Sequence, residues 1–396
     1  MKSRQLLLLV ITALVLGGGG LYVLKQRSSG YDRAKTNMGG SLLGPFDGAA
    51  VSAVRLTQGS NSVNIVSDGQ KWVVSERGNY PANVTDLSAF VRKLAELKVT
   101  RPVTVGASRL PMLQLTGDAV TVVELLDASG KPMKTLRLGK QSSKGGGDED
   151  PMGGGGYPDG RYVQVGEAVS LINDPLGSAQ PKPENWIAKE FIKVEQPLTV
   201  QITHLESTNS FTLTRTNEFA EWTLAEAAAG EVVDKNKLFS FNSLMSGPSF
   251  DDLVLNPEVA KLGLDQPTRA LIKTASGITY DLKIGRPEGE AYPVQVTVSG
   301  ALAQERTPGA DEKPEDKERL DQEFKEKGAK LEQKLKTEET FGKWTFTMSK
   351  WTVEPLLKKR SELLSDKTAP AIPGAGAEPE FLPDPTSFLP KLPGAN

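Results

Sequence analysis

The chain holds one histidine, His204, and no cysteine among its 396 residues. Any chemistry it performs must therefore come from hydroxyls, carboxylates, lysines and that single imidazole. The absence of cysteine excludes thiolate zinc sites, iron–sulfur clusters, disulfide frameworks and thiol nucleophiles together. The nominal parts of a hydrolytic site are His204, Glu206 and Ser207, with Asp251 and Asp252 as further carboxylates. His204 and Glu206 alternate along an expected strand and so can share a face. General acid–base work needs two groups set against a substrate, and no nucleophile elbow or second base accompanies them, so no residue is assigned a catalytic role. The run GGGDEDPMGGGG at 145–156 places three acids together, but it lacks the alternating carboxylates and distal Glu of a calcium loop. It reads as a surface loop. Gly139 and Gly285 each follow an apolar strand and do not open a strand-to-helix phosphate loop. No cofactor and no metal is expected.

With 47 basic and 49 acidic residues, a net charge of −2, 38% hydrophobic and 24% charged residues, the composition is that of a globular protein with a mixed solvated surface. Nucleic acid, which calls for clustered Lys and Arg, is not an expected partner. The length admits two or three domains.

The elements that must position any site begin after an apolar amino terminus. Residues 6–24 carry no charge and are flanked by Lys2, Arg4, Lys25 and Arg27, long enough for a bilayer-spanning helix. The apolar run resumes at Leu21 after Gly17 to Gly20 and shows no A-x-A site, so a retained anchor is preferred to a cleaved signal peptide. This reading gives a membrane anchor over 1–27, a Gly- and Ser-rich tether over 28–50, and a single-pass inner (cytoplasmic) membrane topology with the body outside the cytoplasm. The bilayer is then a partner through residues 6–24.

From Val51 apolar and polar residues alternate around polar turns, one of them Asp68-Gly69, as in short antiparallel strands. Leu87, Phe90, Val91, Leu94 and Leu97 then recur at helical spacing, with Asn83 or Thr85 available as cap. Strands return at 120–127, 133–138 and 161–165. The same order recurs from Leu198: strands, a helix expected over 235–245, then strands at 270–274 and 278–284. Trp222 follows Trp72 by 150 positions and Ile284-Gly285 follows Leu138-Gly139 by 146. Two landmarks at nearly one interval indicate a duplicated unit. The fold class is therefore α+β, with a first repeat over 51–190 and a second over 191–364, and both tryptophans are expected as core rings.

Residues 311–340 form a charged insertion in the second repeat. Glu315–Arg319, Asp321–Lys325, Glu323–Lys327, Glu326–Lys330 and Glu332–Lys336 are spaced i, i+4 for an exposed helix. Its thin apolar stripe, Leu320, Phe324, Leu331 and Leu335, could lie on its own domain or meet a partner helix. A last helix is expected over 351–364. Beyond it the Pro-rich tail 365–396 carries Phe381-Leu382-Pro383 and Phe388-Leu389-Pro390 as further partner-contact candidates.

The Trp72 and Trp222 strands, Leu262-Gly263-Leu264-Asp265-Gln266-Pro267, Ile284-Gly285 and Phe191-Ile192-Lys193-Val194-Glu195 together resemble the DUF4340 family over residues 50–360. Arg109-Leu110-Pro111 is a poor counterpart of the LGLDQP segment in the first repeat. The resemblance carries no catalytic motif. It implies an accessory role beside gliding-motility-type ABC transport systems, with envelope or transporter proteins as partners. The expected function is accordingly a non-catalytic, membrane-anchored envelope scaffold or binding subunit of an ABC-type transport complex. A surface glycan-binding or self-assembling envelope structural protein is the alternative, and an envelope hydrolase stands third.

Overall fold

The computed structural model describes residues 38–144, 157–227, 231–308 and 312–365. The first unit comprises β1 (Ala53–Gln58), β2 (Asn61–Ser67), β3 (Trp72–Val74), β4 (Tyr80–Pro81), α1 (Val84–Glu96), β5 (Arg101–Val103), β6 (Thr121–Leu126), β7 (Pro132–Lys144), β8 (Tyr157–Val165) and β9 (Ala168–Ile172). These strands make one sheet in the order β4-β3-β2-β1-β6-β7-β8-β9-β5. The second unit comprises β10 (Pro197–Thr203), β11 (Phe211–Thr214), β12 (Thr223–Leu224), α2 (Lys235–Leu238), β13 (Asp252–Leu253), β14 (Thr268–Thr274), β15 (Ile278–Ile284), β16 (Ala291–Gly300), α3 (Lys317–Glu339), β17 (Thr345–Ser349) and α4 (Lys350–Leu357). Its sheet runs β12-β11-β10-β14-β15-β16-β17-β13. Apart from the extra edge strand β4, the two orders coincide, and in both the helix lies between the third strand and the far edge strand.

The register makes the correspondence specific. Val54 faces Ile65 and Leu125, as Val200 faces Leu213 and Ile272. All six are buried, while Arg55 and Asn64 on the opposite face bond to each other at 2.7 Å. Period-2 alternation thus gives each sheet an apolar and a polar face. Leu87, Phe90 and Leu94 of α1 cover the apolar face, and Asn83 caps the helix by accepting the Asp86 N–H. In the second unit Asp234 caps α2, and Leu238, Phe241 and Met245 are buried in turn. The helix expected over 235–245 shrinks to four residues followed by a 3-10 turn, Phe239–Phe241. Ser240, Asn242 and Ser243 are weak helix formers, and Gly247-Pro248 stops the chain soon after.

Gly139 and Gly285 have one explanation. A Cβ added at either would lie 2.2 Å from a carbonyl oxygen, that of Leu113 or of Leu262. The counterpart of Leu262-Gly263-Leu264 in the first unit is therefore Leu113-Gln114-Leu115, not Arg109-Leu110-Pro111. Gln114 and Gly263 both take positive φ, 54° and 68°, and Leu115 and Leu264 are both buried.

The units share one core. Tyr80 at the β4 edge meets Phe250, Trp344 and Phe346 edge-on, at 5.2–6.4 Å between ring centroids. Beside it Arg77 forks onto Asp252 at 2.6 and 2.7 Å and reaches Glu184 at 3.1 Å. The β4 edge of one unit thus abuts the β13–β17 edge of the next, a head-to-tail contact.

Among the described residues no helix is long and apolar enough to cross a membrane, so the expected fold of a transmembrane helix followed by two units reduces to the two α+β units. The proposed span at 6–24 lies outside the described residues, as do the acidic loop 145–156 and the tail with Phe381, Leu382, Phe388 and Leu389. With that finding the bilayer as partner and the single-pass inner-membrane localisation are withdrawn. Residues 38–43, within the stretch read as tether, run against the first unit: Gly39 N–H donates to Val99 O and Leu42 N–H to Leu97 O, both at 2.8 Å. The α3 ion pairs differ from those read off its spacing. Arg319 pairs along the helix surface with Asp316 and Glu323, whereas Asp321 and Lys334 turn to residues outside the helix, Arg306 and Glu195.

Candidate functional site

The nominal hydrolytic residues are held apart by separate structural duties. His204 Nε2 contacts Lys358 O at 2.9 Å and its Nδ1 lies 3.4 Å from the Thr268 hydroxyl. With a proton on Nε2 the ring donates to Lys358 O, and this pins the end of β10 to the carboxy-terminal turn. Glu206 accepts from the Asn209 amide, and Ser207 opens a one-turn 3-10 helix. Asp252 is engaged by Arg77, while Asp251 offers its carbonyl to Lys189. Among the described residues no group of three His, Asp or Glu side chains is placed to hold a metal ion.

The carboxy-terminal half of the stripe on α3 faces its own unit. Leu331 and Leu335 pack against the core margin, with Leu335 seated over Gly300. Leu320 and Phe324 are half-buried further along. Leu331 and Leu335 therefore already have an intramolecular surface.

The duplication gives an internal control for what the scaffold itself requires. A position that is apolar in both units answers to packing; an exposed aromatic present in one unit only does not. Trp222 and Trp72 start from the same register position, yet Trp222 is buried and Trp72 half-buried. Phe219, at the tip of the β11–β12 turn, is 91% exposed, and Phe239, just after α2, is 75% exposed. Counting back three from each tryptophan, the first unit has Gly69 where the second has Phe219. Counting from the helix caps, it has Ser88 where the second has Phe239. Neither ring is needed to build the unit.

These two rings flank a notch of about 250 Å³ lined also by Glu218, Ala220, Glu221, Trp222, Lys235, Leu238 and Asn242. Its geometry is held from below. Asn217 Oδ1 accepts the N–H groups of Phe219 and Ala220 at 2.9 and 3.0 Å, fixing the turn that lifts Phe219 into solvent. Arg215 lies 4.4 Å over the Trp222 ring and donates to Pro197 O and Glu218 O, which ties the turn to β10. Desolvation between ring and backbone lowers the Arg215 pKa. Trp222 Nε1 donates to Asn242 Oδ1 at 3.1 Å. Indole is a donor only, so the Asn242 oxygen must turn inward and its NH₂ must point out. Lys235 and Glu221 pair across the notch at 2.5 Å, both well exposed.

The result is a pair of apolar ring faces, one oriented amide donor pair and exposed carboxylates around a small concavity. That set can stack against the C–H face of a ring-shaped ligand while bonding its hydroxyls. The notch escaped the sequence reading, which singled out residues at helical or strand spacing. An Asn-Glu-Phe turn opposite a glycine in the aligned repeat was the available signal.

Comparison with protein families bears on the same stretch. Residues 72–267 match the DUF4340 family, described as a domain of unknown function. The DUF4340 match opens on Trp72, crosses the junction between the units and ends on the Leu262-Gly263-Leu264-Asp265-Gln266-Pro267 segment, so it includes the notch and leaves Ile284-Gly285 outside. It is shorter than the 50–360 likeness read from motifs. No curated protein matches the chain. The family description attaches no transport system, and no described helix can span a membrane. The reading as a membrane-anchored subunit of an ABC-type complex is accordingly given up.

Proposed function

We propose that this DUF4340 protein is a non-catalytic binding module that takes a glycan at the Phe219–Phe239 notch. One observation carries the reading: two aromatic rings stand almost fully in solvent at positions where the aligned repeat does without them, beside an amide whose donors are aimed outward by a buried indole. Exposing such rings costs solvation free energy and offers nothing to the fold, which fits a surface kept for contact. The notch volume suits a single sugar ring, and the mixed Glu218, Glu221 and Lys235 rim favours a neutral one. The hydroxyl-bonding groups set orientation while the rings supply contact area.

Self-assembly by extending the repeat array is the competing reading, and the register speaks against it. The junction aromatic Phe346 corresponds to Ser170 in the first unit, Leu253 to Pro102, and Asp252 to Arg101. The outer edge of the first unit thus lacks the apolar groups that receive Tyr80 at the internal junction. A polar outer end is what a terminal repeat needs to stay unextended.

A glycan array probed with the wild-type protein and with the Phe219→Ser/Phe239→Ser double variant tests the proposal. Retained thermal stability with loss of at least tenfold in affinity for the glycans bound by wild type is expected. Equal binding by both proteins, or no glycan bound by either, would remove the reading.

A further inference from the structure

The insertion helix α3 ends in a contact that the first unit does not possess. Glu338, in its last turn, is 4% exposed, and both of its oxygens are engaged. Oε1 accepts the Lys193 N–H at 2.8 Å, and Oε2 lies 2.8 Å from the Tyr280 hydroxyl. The same hydroxyl lies 3.0 Å from Lys193 O. Tyr280 therefore makes two oxygen–oxygen contacts at hydrogen-bond distance but owns one proton. One proton can serve both only as a shared, weaker three-centre bond; a second proton on Glu338 makes each a full hydrogen bond, in the chain Glu338 O–H to Tyr280 O, then Tyr280 O–H to Lys193 O. At the corresponding place the first unit uses Lys134, whose Nζ donates to Leu43 O at 2.7 Å; the incoming strand is held there with no carboxyl at all.

The charged and titratable groups facing Glu338 are Tyr280 from β15, Lys193 and Glu195 from the linker, and Lys334 from α3. Lys334 Nζ is taken up by Lys193 O at 2.6 Å and Glu195 Oε2 at 2.8 Å, and Lys193 Nζ also pairs with Glu195 at 2.9 Å. The two lysines thus turn to Glu195, and among the described residues no cation forms an ion pair with Glu338, although Lys334 acts on it from nearby. Burial pushes its pKa above the ordinary value of 4.5, while the hydrogen bonds that Tyr280 and the Lys193 N–H can donate to the ionised form pull it part of the way back.

We propose that Glu338 is a proton-dependent latch, neutral when α3 is docked on the linker between the two units and released when it ionises. The sign follows from linkage. A carboxyl whose docked-state pKa lies above its free value holds the docked state fully below the free value, and loses that hold as pH rises through the docked value. Between the two values the opening constant of the latch rises up to tenfold per pH unit.

The test is hydrogen exchange of the Lys193 amide, corrected for intrinsic base catalysis, from about pH 4 to about pH 8, spanning ordinary and raised carboxyl values, in wild type and Glu338→Gln. The glutamine keeps an acceptor for Lys193 N–H and supplies a permanent donor to Tyr280, so its protection should not vary with pH while that of wild type falls. Equal pH slopes in the two proteins, or a wild type that gains protection with pH, would overturn the latch. Infrared spectroscopy of wild type supplies the second measurement should the variant fold poorly. A neutral-carboxyl carbonyl band that persists at pH values where exposed carboxylates are ionised supports the proposal, and its absence refutes it.

Discussion

Arg77 and Arg269 make the same hydrogen-bond fork in different surroundings, and replacing each by alanine separates geometry from burial. Arg77 donates to both oxygens of Asp252 at 2.6 and 2.7 Å, and Arg269 to both of Asp281 at 2.7 and 2.6 Å. The Arg77 side chain is 18% exposed at the junction of the units, whereas Arg269 is 53% exposed on the polar face of the second sheet. Truncating one partner of a fully buried pair costs about 3–5 kcal/mol, since the remaining charge is left unpaired. With Asp252 29% exposed and Glu184 34% exposed, some water can reach the abandoned carboxylates, and about 2 kcal/mol is expected for Arg77→Ala. An exposed pair is worth about 0–1 kcal/mol, which is the expectation for Arg269→Ala. Urea unfolding followed by tryptophan fluorescence measures both. Arg77→Ala should lower the midpoint and, because the fork crosses between units, begin to split the transition in two. Equal losses for the two variants, or an unchanged midpoint for Arg77→Ala, would mean that the units are held by the Tyr80 ring cluster alone and that the junction charges are incidental.

Further outcomes follow from the same structure. Trp222→Ala should cost about 3–5 kcal/mol as a buried ring that also carries a hydrogen bond, and Trp72→Ala about half as much, because its ring is only half-buried; thermal unfolding of both variants checks the ranking. Gly139→Ala and Gly285→Ala should each destabilise by about 1–3 kcal/mol or more, since the new methyl meets a carbonyl oxygen that must move, whereas alanine at Gly328, where an added Cβ meets nothing within 4 Å, should be neutral or stabilising in the α3 interior.

Much of this molecule was legible in its sequence because the relevant physics is local. Alternation at β1 and β2, the capped stripe Leu87, Phe90 and Leu94, and the recurrence of Trp72 as Trp222 all follow from the repeat of backbone geometry along a few residues. Strand order, by contrast, depends on which distant edges meet, and no local period encodes that β5 or β13 closes the far side of its sheet. The same limit explains the misreadings. Asp321 sits at helix-pair spacing from Lys325, yet its partner is Arg306, brought near only by folding. Arg109-Leu110-Pro111 is a poor counterpart of LGLDQP in sequence, and the true counterpart, Leu113-Gln114-Leu115, is identified only by the carbonyl that touches Gly139.

The candidate site lay furthest from the sequence reading, and the reason is physical. Residue type says that Phe219 and Phe239 are apolar; it does not say which side of the chain solvent occupies. That side is decided by the Asn217 turn, the Arg215 ring contact and the early end of α2. A buried carboxyl such as Glu338 is equally mute in sequence, one acid among many in a charged helix, until the docking of that helix removes its water and leaves Tyr280 as its neighbour. The sequence determined the repeated α+β unit and its apolar faces, since these rest on local periodicity. Only the tertiary structure decided which aromatic rings stay in solvent and which acid leaves it, since exposure belongs to the neighbours a residue acquires.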